Sequence, residues 1–270
     1  MMNVIERIFD FSAAGPMEQF EIVRLIHWAP FGVDLSVTNS TLWMFIGVGL
    51  ASLFLLVASR GRALIPGRLQ GAGEVMHDFI ADMVRGAIGE DGMKFFPYVF
   101  TLFIFILFAN LLGLMPAIPG APHGLHTFTT TSHIVVTLAL ALLTISIVIV
   151  YGFYKNGFGF LKLFVPSGVP AWLLPLIVLI EFVSFLSRPL SLAIRLFANM
   201  LAGHVILKIF GIFITLLLAE GLTFGWISVF PFLGIVAVTL LEILVAFLQA
   251  YVFAMLTCIY LSDAEHAGHH

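Results

Sequence analysis

At 270 residues, 61% hydrophobic and only 10% charged, with a mean hydropathy of +1.11, the chain excludes a soluble domain, which carries about 25% charged residues. Its continuous Leu/Ile/Val/Phe runs exclude the alternating segments of a transmembrane β-barrel and predict an all-α polytopic membrane protein. The net charge of −3 carries no nucleic-acid signature, and a lone Cys258, read as a small hydrophobe in a helix, excludes a disulfide framework.

In chain order, residues 1–40 read as an N-terminal interfacial segment with a short helix around Met17–His27, and a cleavable signal peptide is not expected. A single membrane domain is expected over 41–261. Its first span is Thr41–Ser59, and the Arg60, Arg62 and Arg68 that follow place its end on the cytoplasmic side. Gln70–Glu90 carries Glu74, His77, Asp78, Asp82 and Arg85 beside Val75, Phe79, Met83 and Val84. It predicts one amphipathic helix lying on the cytoplasmic surface or against a partner, with a plain solvated face as the alternative.

The second span is Phe95–Met115. The Pro/Gly/Thr-rich loop Ala117–His133 lacks Lys and Arg and belongs outside; its His123, His126 and His133, spaced by three and seven, are a weak signal for a metal. A third span, Ile134–Phe153, returns to Lys155 and Lys162 inside. From Ala171 to Ala219 apolar character hardly stops, for about 49 residues or roughly 70 Å as one helix, over twice the ~30 Å of hydrocarbon. No turn cluster accompanies Pro189, so one strongly tilted helix is expected rather than two spans. The connection Glu220–Pro231 leads to a last long helix, Phe232–Leu261, antiparallel to it. Residues 262–270 read as a polar, mobile, solvated tail. About five transmembrane helices result.

The two long helices hold the polar residues that need explaining. Ser184, Arg188, Ser191, Arg195 and Asn199 recur at steps of four and three, a polar stripe on an apolar rod. An arginine at mid-membrane costs at least roughly 2.5–3.5 kcal/mol and marks a functional site by default. Glu181, His204 and Lys208 share that helix, and Thr239, Glu242 and Gln249 lie on the next. Symmetry about the connecting loop puts His204 level with about position 245, within a turn of Glu242. Arg195 and His204, nine residues apart, lie on opposite sides of a straight helix. They suit a proton pathway with two mouths. The alternative for Ser191, Asn199, Asn110 and Gln249 is inert hydrogen bonding between helices. Phosphate-binding, dinucleotide, zinc-protease and serine-hydrolase motifs are absent, so no cofactor, metal or direct nucleotide binding is expected.

The stretches SRPLSLAIRLFANMLAGH (Ser187–His204), LEILVAFLQAYVFAMLTCIYL (Leu241–Leu261) and FANLLGLMP (Phe108–Pro116) resemble the a-subunit family of F-type ATP synthases, mitochondrial and alphaproteobacterial members above all. That resemblance implies a non-catalytic stator subunit forming two proton half-channels against a rotating c-ring. It implies that Arg195 is the essential arginine facing the ring carboxylate. His204 and Glu242 become the paired His and Glu positions, Asn110, Ser191, Asn199 and Gln249 line the half-channels, and Glu181 is an acidic group on the cytoplasmic side. The implied partners are the c-ring, peripheral-stalk b subunits and lipid, in a bacterial inner membrane with the C-terminus cytoplasmic, or in an organelle inner membrane. A secondary transporter built on the same Arg/His/Glu groups is the alternative function, and a purely structural scaffold subunit a third.

Overall fold

The computed structural model describes residues 24–26, 36–60, 66–115, 131, 133–165, 172–219 and 225–266. They build an all-α polytopic membrane protein with one short strand pair at its start. Arg24–Ile26 (β1) lies antiparallel to Val37–Thr38 (β2), with an irregular register. The helix expected over Met17–His27 is therefore replaced at 24–26 by an extended strand, whose backbone groups find partners across the pair; the rest of that expectation lies outside the described residues.

Helix α1 is Asn39–Arg60, α2 is Arg68–Ile88, α3 is Phe96–Gly113, α4 is Ile134–Asn156, α5 is Leu174–Ala219 and α6 is Val229–His266. Shorter 3-10 segments, Glu90–Phe95, Gly157–Phe164 and Trp226–Ser228, lead out of α2 and α4 and into α6. Among the described residues five helical stretches are long and apolar enough to cross a membrane; α2 is the exception. At 46 residues α5 is about 69 Å long, so it fits a ~30 Å hydrocarbon layer only when steeply inclined. Pro189 sits inside it without ending it. Pro231, expected in the connection, instead occupies the first turn of α6, where its missing N–H costs no helical bond.

Helix α2 does have one buried face, which takes in Val84 and half-buried Met83 of the expected apolar set but not Val75. Ile80, Ala81, Val84 and Ile88 are buried, whereas Val75 is 70% exposed and Phe79 37%. Phe79, at the edge of that face, still meets the rings of Phe103 and Tyr251 at centroid spacings of 6.0 and 5.7 Å. The helix stops at Gly89, whose φ of 97° only glycine adopts freely and whose N–H bonds the Arg85 carbonyl at 2.9 Å.

The described residues fall into two compact units, one drawn from 1–47, 109–133 and 197–248, the other from 48–108, 134–196 and 249–270. In the second, a core of Ile80, Val84, Phe103, Ile106, Val148, Leu196, Phe253 and Leu261 draws on α2 to α6. Aromatic edges extend it, from Phe160 to Phe164, Phe185 and Tyr260 at centroid spacings of 5.6–6.3 Å. In the first, Trp43 of α1 packs on Leu112 of α3.

Helix α6 does not end at Leu261. It continues to His266, and Glu265, expected in a solvated tail, is 5% exposed. The reason is charge pairing: Lys94 Nζ lies 3.0 Å from both of its carboxylate oxygens, Lys155 Nζ bonds one, and the Tyr151 hydroxyl donates to the other at 2.5 Å. Asn156 donates to the Ala264 carbonyl at 2.6 Å.

Candidate functional site

The face of α5 that packs inward and the face that carries charge follow the same period, one residue out of step. Phe185, Pro189, Leu192, Leu196 and Met200 are buried, while Arg188, Ser191, Arg195 and Asn199 are exposed. A step of one residue turns the helix by 100°, so the polar stripe runs along the edge of the packed face rather than opposite it. Ser184 and Glu181 continue it half-buried toward the start of α5.

Within the second unit this edge forms a groove. Ser187, Arg188, Ser191 and Arg195 make one wall, Tyr251, Val252, Met255 and Leu256 of α6 the other, around 510 Å³. Arg195 makes no ion pair among the described residues. Arg188 is within electrostatic reach of Tyr260 and Asp263. Two residues before this wall on α6 lies Gln249, 7% exposed, whose side-chain oxygen has no hydrogen-bond partner among the described residues.

The first unit holds a different kind of site. Glu242 is 7% exposed, and neither of its carboxylate oxygens has a hydrogen-bond partner among the described residues. It lies against Gly203 of α5: a Cβ built there would overlap the carboxylate, so glycine is what makes room for it. One turn further along α6, fully buried Asn110 of α3 donates to the Ala246 carbonyl at 3.2 Å, and its own side-chain oxygen stays unpaired. Below Glu242, the Thr239 hydroxyl returns to the Ile235 carbonyl.

The antiparallel register expected from loop symmetry is met to within about a turn: Glu242 faces Gly203, next to His204, and Phe210 packs at Gly234. His204 is half-buried, as is Lys208. His204 and Glu242 are neighbours in register but no hydrogen bond joins them, because the carboxylate accepts none. Two features escaped the sequence reasoning. Gly203 stood there only as a motif letter, and the Lys94–Lys155–Tyr151–Glu265 cluster has no local signature.

What the arrangement offers chemically is two environments. One is a groove bearing the exposed Arg195 guanidinium, which has no ion pair among the described residues. The other is a buried carboxyl with no committed donor, able to take or give a proton without first breaking a bond.

A family model described as ATP synthase A chain matches residues 41–262. Proteins named ATP synthase subunit a are similar over nearly the whole length. That of Maricaulis maris is 55% identical over 256 residues, covering 94% of this chain and 98% of the relative. That of Chelativorans sp. is 56% identical over 257 residues, covering 95% and 100%. That of Azorhizobium caulinodans is 56% identical over 256 residues, covering 94% and 98%.

Proposed function

The chain belongs to the ATP synthase A chain family, and from that premise we propose that it is the proton-carrying stator subunit of the membrane sector, holding two half-channels against a rotating c-ring. The observation that carries this is Arg195: a permanently charged group on the exposed edge of an apolar helix, with no ion pair among the described residues. A cation so placed in a membrane draws its counter-charge from a neighbour. A carboxylate on each passing c subunit is that neighbour.

Protons enter from the outer side past Asn110, His204 and Glu242 and neutralise a ring carboxylate. The neutral acid then turns into lipid, since an uncharged carboxyl is far cheaper to bury than a carboxylate. After nearly a full turn it meets the groove along Ser191, with Glu181 toward the inner side, and loses its proton. Arg195 favours the ionised carboxylate between the two mouths and blocks a direct leak from one to the other. Asn199 and Gln249 supply polar stepping points at the edges of that barrier. The subunit catalyses no bond-making itself; its partners are the ring, the peripheral-stalk b subunits and the lipid of an inner membrane, with the C-terminus cytoplasmic.

The test is proton flux in vesicles holding the purified complex. Arg195→Ala is expected to abolish ATP-driven pumping while the complex still assembles. Coupled pumping at the wild-type rate in that variant would make Arg195 structural and overturn the assignment.

A further inference from the structure

Helix α6 contains no glycine or proline between Gly234 and its end at His266. It is therefore a stiff rod from Tyr251, where it forms a wall of the arginine groove, to Glu265, where it is held. The hold is unusual for a segment of this composition. A carboxylate whose side chain is only 6% exposed takes two lysine ammoniums, themselves 44% and 35% exposed, and a tyrosine hydroxyl. The donors come from two separate elements: Lys94 from the turn before α3, Tyr151 and Lys155 from the last turns of α4. Asn156, the last residue of α4, holds the neighbouring Ala264 carbonyl. Lys94 also lies 5.1 and 5.2 Å from the ring centres of Phe95 and Tyr151, which limits where its ammonium can go.

Such a set of contacts restricts both the rotation and the axial slide of α6. Rotation matters because each residue spans 100° of the helix: a modest turn carries Met255 and Tyr251 away from Arg195. Core packing of Phe253, Ala254, Cys258 and Leu261, and the contact of Tyr260 with Phe185 of α5 at 5.6 Å, begin to limit that rotation, and the clamp at Glu265 completes the hold at the end of the rod.

We propose that Glu265 is a positioning residue for proton translocation: clamped by Lys94, Lys155 and Tyr151, it helps to set the rotation of α6 and so keeps Tyr251 and Met255 in place across the groove from Arg195, where the barrier to leakage lies. This inference rests on the proposed proton-carrying function of the groove. Neutralising the carboxylate removes the attraction of two ammoniums at once and frees the end of the rod.

The experiment uses the intact complex in vesicles, scored for subunit content, passive proton leak and protons pumped per ATP hydrolysed. Glu265→Gln is expected to assemble with full subunit content, to leak several-fold faster than wild type and to lose more than half of its pumping per ATP. Lys94→Gln is expected to show a smaller shift in the same direction, and to add nothing when combined with Glu265→Gln, because both act through one contact. Wild-type leak and coupling in the assembled Glu265→Gln complex would overturn the inference, as would a reduced yield of complexes that are each fully coupled. Should Glu265→Gln fail to assemble, Lys94→Gln, which leaves Lys155 and Tyr151 in place, decides between the same outcomes. Absence of pumping in the wild-type vesicles, or normal pumping by Arg195→Ala, would instead remove the function on which the inference stands.

Discussion

Two glutamates on α6 are equally buried and in opposite conditions. Glu265 is surrounded by donors, two of them cationic; Glu242 has none among the described residues. A buried charge with every lone pair occupied is expensive to disturb and holds structure in place. A buried carboxyl without a committed partner stabilises nothing, and its retention in an apolar helix needs another reason. On the proposed function that reason is the proton. One helix thus carries a fixed carboxylate and a working one, told apart by what surrounds them rather than by residue type.

The contrast breaks most severely at Glu242. Glu242→Gln keeps shape and removes the titratable proton, so ATP-driven pumping should fall on the order of 100-fold. The thermal stability of the complex should stay unchanged, since no bond is lost; a drop in melting temperature equal to that of Glu265→Gln would erase the distinction. Next comes Glu265→Gln, expected to destabilise by about 3 kcal/mol, at the low end for a broken buried pair because both ammoniums reach solvent. Calorimetry of the purified complex measures it. Gly203→Val drives a side chain into the space of the Glu242 carboxylate. It should cost about 1–3 kcal/mol of packing and slow proton transport, with partial recovery when Glu242→Asp shortens the opposing side chain. Unaltered transport in the single variant would show that the carboxyl has room to move. Lys94→Gln should cost about 1 kcal/mol, as one of several donors and a half-exposed one. At the bottom, Val75→Ser on the exposed side of α2 should change folding by less than about 0.5 kcal/mol, and serves as the control for the others.

The two glutamates were not equally visible in the sequence. Glu242 interrupts an apolar run, and the hairpin symmetry of α5 and α6 sets it within a turn of His204; the observed contact with Gly203 is that register. Arg195 announced itself by its surroundings in the same way, and the unbroken length of α5 followed from the absence of turn residues around Pro189. Glu265 sits in SDAEHAGHH, where polar neighbours hide it. Its partners are 171, 110 and 114 residues away, and Lys155 served only as a sign of topology. Long-range charge pairing leaves no periodicity to find. The apolar face of α2 was legible in part: Val84 and Met83 pack on the core, whereas Val75, in the same apolar set, stays exposed, because the packed neighbours and not the spacing decide how far a face is covered.

The spacing of those partners also has a bearing on how the protein is made. At ribosomal speeds of about 5–20 residues per second, Glu265 emerges on the order of ten to thirty seconds after Lys94. Lys94 waits through that whole interval, joined about a third of the way by Tyr151 and Lys155, without the carboxylate that pairs with them. The contact closes a long loop and forms late, as pairings between distant residues do. A nascent chain that stops short of Glu265 already contains every proposed proton-carrying residue and still lacks its closing bond.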